Sequence, residues 1–163
     1  MSSLLETLQH TLPQEGYLQW IGVRTGRGQP VRILDRVEVS TESGLAGDRF
    51  SGRPASPRQV TLIQAEHLEV LAQLLGIPID PALLRRNLVI GGINLMALKG
   101  QAFSIGPVVL EGTRACAPCS KMEQALGPGG FNAMRGHGGL CARVLKGGII
   151  SVGDPVRLHV NRW

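Results

Sequence analysis

The chain has 163 residues, of which 22 are Gly and 10 Pro, together about a fifth of the sequence against the usual share of roughly 12%. That share argues against a helical bundle, while 43% hydrophobic residues suffice for the core of one ordinary domain and argue against global disorder. Seventeen basic against twelve acidic residues give a formal charge of +5. The bases are 14 Arg and only three Lys (Lys99, Lys121 and Lys146), and the planar guanidinium fork suits phosphate and carboxylate, although high-GC codon usage gives the same bias. With no run of bases and six aromatic residues, nucleic-acid binding is not expected; an anionic small ligand fits at least as well. No apolar run approaches the roughly 18 residues of a membrane-spanning helix, and no basic n-region precedes an apolar h-region at the start. A soluble, cytoplasmic, single-domain protein spanning 1–163 is expected, with no membrane partner.

Residues 2–12 carry Leu4, Leu5, Leu8 and Leu12 at helical spacing, with Ser2 or Ser3 as cap, and read as a short amphipathic helix in an extension over 1–16. Residues 17–23 and 33–39 are rich in aromatic and β-branched side chains and flank the Gly/Pro turn 26–30, which predicts a hairpin. A strand is expected at 59–63. Ala65, Leu68, Leu71, Ala72 and Leu75 then form one helical stripe ended by Gly76. Asp80-Pro81 places an N-cap before a proline at the first helical position and opens a short helix running to about Arg85. A strand at 88–90 follows, and after it the chain reads mostly as strands and glycine turns. Residues 98–108 are faintly repeated at 145–156, each copy reading as strand, Gly-centred turn, strand, which predicts one hairpin used twice. The fold class expected is mainly β with a few short helices (α+β), a closed or nearly closed β-barrel with helices packed outside.

The chemically richest segment is Arg114-Ala115-Cys116-Ala117-Pro118-Cys119-Ser120-Lys121-Met122-Glu123. Ser120 and Glu123 read as a capping box and Gly127 as the C-cap of a two-turn helix, so Cys119 falls just before a helix N-terminus, where exposed amides and the neighbouring Arg114 and Lys121 favour a thiolate. Small buried cysteines are the plain alternative. Three functional readings compete. CxPC at a helix start suits a redox dithiol with Cys116 attacking, although the βαβ context of such folds is missing. Cys116, Cys119, His137 and Cys141 form a C-x2-C, H-x3-C set acceptable for structural zinc and hence for a non-catalytic binding module. Alternatively, one thiolate holds a metal that belongs to a phosphorylated cofactor. Anion donors for such a cofactor are available in the Gly-bracketed turn 44–49, which presents Asp48 and Arg49, in Arg53 and Arg58, in Arg85-Arg86-Asn87, and in the loop 127–139, with six glycines and Arg135. Each has a plain counterpart: Asp48 and Arg49 paired across their turn, Arg85 and Arg86 complementing a helix C-terminus.

Gly44-Leu45-Ala46-Gly47-Asp48-Arg49, Val60-Thr61-Leu62-Ile63, Arg85-Arg86-Asn87-Leu88-Val89-Ile90-Gly91-Gly92, Cys116-Ala117-Pro118-Cys119, Arg135-Gly136 and Val152-Gly153-Asp154-Pro155-Val156, in this order, resemble the MOSC domain, named for the C-terminal domain of molybdenum cofactor sulfurase. The resemblance covers about residues 18–160. It implies a barrel-like β fold and binding of, or sulfur chemistry on, the molybdenum cofactor. By the same resemblance, Cys119 is the molybdenum ligand and Cys116 its catalytic neighbour. Arg85 helps hold the cofactor with Asn87 as companion, and Asp48 and Arg49 form the family's Gly-Asp-Arg turn. Many members follow that turn with His, where this chain has Phe50. The activity implied is molybdenum-dependent reduction of N-hydroxylated small molecules, with electrons from a separate protein. The alternative is a sulfur carrier in which Cys119 bears a persulfide received from a donor protein.

Overall fold

The computed structural model describes residues 3–50 and 52–159. A capping box of Ser3 and Glu6 opens α1 (Leu4–Gln9); Ser2, the other expected cap, and position 160 lie outside the described residues. Of the expected leucine stripe, Leu4, Leu5 and Leu8 are 58–76% exposed, while Leu12, past the end of the helix at Gln9, packs against the barrel core. Then come β1 (Gly16–Arg24), β2 (Val31–Leu34), β3 (Arg36–Ser40), β4 (Gly44–Leu45), β5 (Val60–Gln64) and α2 (Ala65–Leu75). A 3-10 turn at Pro81–Leu84 leads to β6 (Leu88–Gly91), and a second at Leu95–Leu98 leads to β7 (Ala102–Ile105) and β8 (Val108–Ala115). The chain continues through α3 (Ser120–Leu126), α4 (Gly130–Met134), β9 (Leu140–Lys146), β10 (Gly148–Ser151) and β11 (Pro155–Leu158). No helix among the described residues is long and apolar enough to cross a membrane.

Seven strands close a barrel in the order β1-β11-β7-β8-β9-β5-β6, with β6 returning to β1. The β5–β6 pair is parallel and is bridged by α2 and the first 3-10 turn; the other pairs of the ring are antiparallel. A parallel pair requires such a crossover, which puts α2 on the outside of the barrel. Strand β2 extends β1 beyond the ring, and β3, β4 and β10 form a separate three-stranded sheet.

The period of two along each strand divides the side chains between two cores. Val60 and Leu62 of β5, Leu88 and Ile90 of β6, and Leu140, Ala142 and Val144 of β9 fill the interior with Leu18, Ile21, Phe103 and Leu110. Outward-facing Ile63 and Val89 meet Leu71 of α2, Leu84, Met122 and Leu126 of α3 and Met134 of α4 in a second apolar cluster. Helices α3 and α4 are thereby held against the outside of β5 and β6. Close backbone approach at this seam depends on Gly139, whose φ is +101° and whose Cβ position is occupied by the Leu62 carbonyl oxygen. Gly139→Ala is expected to cost more than about 3 kcal/mol, combining left-handed strain with a backbone clash. Gly76→Ala, at a C-cap with φ +69° and open space around it, should cost about 1 kcal/mol. Urea unfolding of the two variants measures the contrast.

Several sequence expectations change here. The strand expected at 33–39 is broken at Asp35: β2 pairs with β1, while β3 pairs with β10 and β4 in the other sheet. The repeated hairpin forms only once. β7 and β8 pair directly across Gly106-Pro107, but β10 and β11 lie in different sheets, and β11 pairs with β7 and β1. The two Gly turns pack on each other instead, with Gly106 N donating to Pro155 O. Residues 127–139 are not simply a glycine loop, because α4 forms inside them and buries Met134. Finally, Cys119 rather than Ser120 is the N-cap of α3, with no side-chain cap bond, and the Glu123 carboxylate accepts from Gly129 N at 2.6 Å.

Candidate functional site

Between the outer face of β5 and β9, the end of β1, the turn that leads into β6 and the start of α3 lies a cavity of about 500 Å³, within the range of small-molecule sites. Its wall carries Arg24, Arg49, Arg58, Arg85, Arg86 and Lys121, together with Cys116, Cys119 and Cys141, and includes no carboxylate.

The arginines are placed by three different local devices. Arg85 is the C-cap of the 3-10 turn, with φ +55°, a left-handed conformation that costs a non-glycine residue roughly 1–2 kcal/mol. The reversal sends consecutive arginines apart. Arg85 Nη1 and Nη2 donate to Gln29 O at 2.9 Å and Gly26 O at 3.2 Å, tying down the β1–β2 loop. Arg86 turns inward and is 8% exposed. Its Nε donates to Gly138 O at 2.8 Å and its Nη1 to Leu84 O at 3.1 Å, whereas Nη2 is buried without a partner among the described residues. Arg24, at the end of β1, grips Asp48 with Nε and Nη2 at 3.2 and 2.9 Å.

Asp48 and Asn87 lie behind the cavity wall. Burial works to raise the Asp48 pKa, but the Arg24 side-chain and backbone hydrogen bonds and the Arg24 charge outweigh it and hold the carboxyl below its usual value. Asp48 thus pairs with Arg24 and not with Arg49, whose own side chain reaches the cavity. Asn87 is fully buried. Its Oδ1 accepts from Thr61 N and Oγ1 at 3.1 and 3.2 Å, and its Nδ2 donates to Gly22 O at 3.2 Å and Asp48 Oδ1 at 3.1 Å. Every hydrogen-bonding site of the amide is therefore used in joining β1, β5 and the Gly-Asp-Arg turn. Phe50, where the family's histidine is expected, lines the cavity with its ring against Gly52.

The three thiols sit at different depths: Cys119 is exposed, Cys116 half-buried and Cys141 buried. Cys116 follows the last residue of β8, and its N–H donates to Gly139 O at 2.8 Å. A hydrogen bond with the Cys141 thiol lowers the Cys116 pKa; burial opposes this, and the charges of Arg86, Arg58 and Arg24 add to the lowering, so Cys116 falls well below the usual thiol range. The Cys141 thiol is pushed up by the same bond and by burial.

Arg135 is the outlier among the expected cofactor residues. It is exposed and lines a second cavity of about 300 Å³, with Met96, Pro118, Gly136, Gly138 and Gly139, on the other side of the Cys116–Pro118 segment. The zinc set is not assembled: among the described residues no three His, Cys, Asp or Glu side chains gather to hold a metal ion. His137 instead places Nδ1 3.0 Å from Ala133 O and packs edge-on against the His67 ring at 5.0 Å. The sequence alone gives no site role to Arg24, offers Arg86 only as one of several anion donors beside Arg85, and places Cys141 only in the zinc set. The alternation Leu140-Cys141-Ala142 does place Cys141 on the outer face and was available as a signal.

A family model described as the MOSC domain matches residues 47–157. Among solved structures, the YuaD protein from Bacillus subtilis superposes with a TM-score of 0.78 at 16% identity, covering 93% of this chain and 100% of that one. YiiM from Geobacillus stearothermophilus gives 0.71 at 19% identity over 89% of this chain and 75% of that one. YiiM from Escherichia coli gives 0.66 at 20% identity, over 90% and 71%. At these identities the likeness is one of fold. No curated protein matches the chain significantly.

Proposed function

We propose, given that this chain belongs to the MOSC domain family, that its arginine- and thiol-lined cavity binds the molybdenum cofactor and that the protein is a molybdenum-dependent oxidoreductase acting on N-hydroxylated small molecules. The observation that carries the reading is Arg86: a buried guanidinium whose Nη2 lacks a partner, in a wall with five further cationic side chains and no carboxylate. A desolvated cation is costly unless an anion completes it, and the phosphate of a pterin cofactor is such an anion. Soft thiolates beside the cations suit a molybdenum centre.

Arg86 is the innermost phosphate donor in this reading, with Arg49, Arg58 and Lys121 supplying charge around it. Arg85 contributes charge while its two carbonyl bonds fix the β1–β2 loop. Cys119, exposed at the start of α3, offers its thiolate to the metal, and Cys116 stands beside it as the more shielded sulfur. When bound, the cofactor supplies two-electron oxygen-atom chemistry; the chain's share is binding, orientation and shielding from water. Leu84, Met122 and the Phe50 ring are the apolar part of that shield. Reducing equivalents come from a separate redox protein.

Protein purified from a molybdenum-sufficient host is expected to contain molybdenum and pterin by elemental and fluorescence analysis. Cys119→Ala should lose activity by tenfold or more while Cys116→Ala is milder; equal tolerance of both changes would sink the ligand assignment. Absence of molybdenum together with one additional sulfur on Cys119 by mass spectrometry would mark a sulfur carrier instead.

A further inference from the structure

Cys141 has no part in the function proposed above, yet it is the thiol that meets Cys116. The strand register pairs Arg114 with Cys141 and Ala115 with Leu140, so Cys116 and Cys141 are diagonal neighbours across the end of the β8–β9 ladder, and their two thiols interact with each other. Both line the same cavity, with Arg86 in its wall. The sequence suggests a Cys116–Cys119 dithiol; the fold puts Cys116 with Cys141.

We propose that Cys116 and Cys141 form a peroxide-responsive thiol pair that closes to a disulfide in the wall of the cavity. The oxidant is a hydroperoxide. Cys116 Sγ, as thiolate, attacks the peroxide: an S–O bond forms, the O–O bond breaks, and the leaving alkoxide or hydroxide takes up a proton from water. Sulfur loses two electrons and the peroxide gains them, leaving a sulfenic acid on Cys116. The Cys141 thiol then loses its proton, its Sγ attacks Cys116 Sγ, the S–O bond breaks, and the hydroxyl leaves as water. The order of roles follows from depth, since Cys116 is reachable from the cavity while Cys141 is 1% exposed and resolves from within. The Arg86 guanidinium, with its unpartnered Nη2, supplies the positive field that the attacking thiolate and departing oxygen both need. Beyond Ala115 the chain leaves the ladder, with Cys116 N donating to Gly139 O, so the residue that must shift to form the bridge lies just past the end of β8. Closure removes two of the three cavity thiols and links the oxidation state of the cell to the occupancy of the site.

The test is treatment of the purified protein with stoichiometric hydrogen peroxide, followed by peptide mapping without reduction. The expected product is a Cys116–Cys141 cross-linked peptide lighter by two hydrogens and reversed by dithiothreitol. Cys119→Ser, a change at an exposed position, should give the same bridge. Cys141→Ser should stop at a Cys116 sulfenic acid trapped by dimedone and then pass to the sulfinic acid. A Cys116–Cys119 bridge, oxidation at Cys119 with the other two thiols still reduced, or no bridge in the wild-type protein would each overturn the proposal. The mapping is done on molybdenum-loaded and molybdenum-free preparations alike, and the bridge is expected in the molybdenum-free protein whether or not the cofactor reading holds, so its failure and that of the cofactor reading are separable.

Discussion

Asn87→Leu is expected to destabilise the protein by about 3 kcal/mol or more and to lower its thermal midpoint by about 10 °C. Leucine has nearly the shape of asparagine but neither accepts nor donates. Thr61 N and Thr61 Oγ1 lose their acceptor, and Gly22 O and Asp48 Oδ1 lose a donor. Each buried group left without a partner costs about 1–3 kcal/mol. Asp48 keeps Arg24, and Thr61 Oγ1 keeps the Asn87 backbone N–H at 3.1 Å, which limits the total. Asn87→Asp retains the acceptor but sets a second carboxylate against Asp48, where Nδ2 now donates; it should be at least as damaging near neutrality and less so in acid, where one carboxyl takes up a proton. Urea unfolding of both variants measures the effect. A loss below about 1 kcal/mol for the leucine variant would contradict the hub, and the cavity should distort with it, because Thr61 and Arg24 are also wall residues.

Arg86→Ala is expected to separate binding from stability. Truncation removes the donors to Gly138 O and Leu84 O, a cost of about 1 kcal/mol each, but also removes a desolvated guanidinium with an unpartnered nitrogen, a gain of similar size. The unfolding free energy should therefore move by less than about 2 kcal/mol. Anion binding should fall at least tenfold, since the most buried charge in the wall is gone. Molybdenum and pterin content of the purified variant, read beside its melting curve, distinguishes the two effects: a folded protein with full cofactor content would refute the anchoring role. Arg86→Lys keeps the charge but cannot donate to both carbonyls in the guanidinium's fixed geometry, so partial retention of cofactor is the expected intermediate.

The barrel was legible in the sequence because its signals are local: the aromatic and β-branched run at 17–23, the Gly-centred turn within 98–108, and the Ala65–Leu75 helix closed by Gly76, which the structure reproduces. What the sequence misassigned depends on distant partners. The turn before Pro155 has the composition of a hairpin turn, but β11 is needed to join β7 to β1, and that demand outweighs pairing with β10. Ser120 lost the cap to Cys119, and Glu123, expected to complete the box, found the Gly129 amide. At the site, the family resemblance pointed to Arg85, yet the left-handed φ of that residue is what turns Arg86 inward, and no composition rule announces a left-handed arginine. The Cys116–Cys141 contact is likewise a matter of register between strands separated by two helices. Short-range chemistry could place the cysteines on loops and strands; only pairing across the barrel could decide which thiols meet.

The ring is completed by its first and last strands, with Gly16 opposite Val156 and Tyr17 opposite Pro155. A chain leaving the ribosome therefore holds β1 early and must wait for β11, some 140 residues later, before the barrel wall is continuous. Until then one side of β1 and the exposed edge of β7 are open to other chains. Emergence of β11, more than the formation of any single helix or turn, sets the moment at which the barrel edge is no longer open.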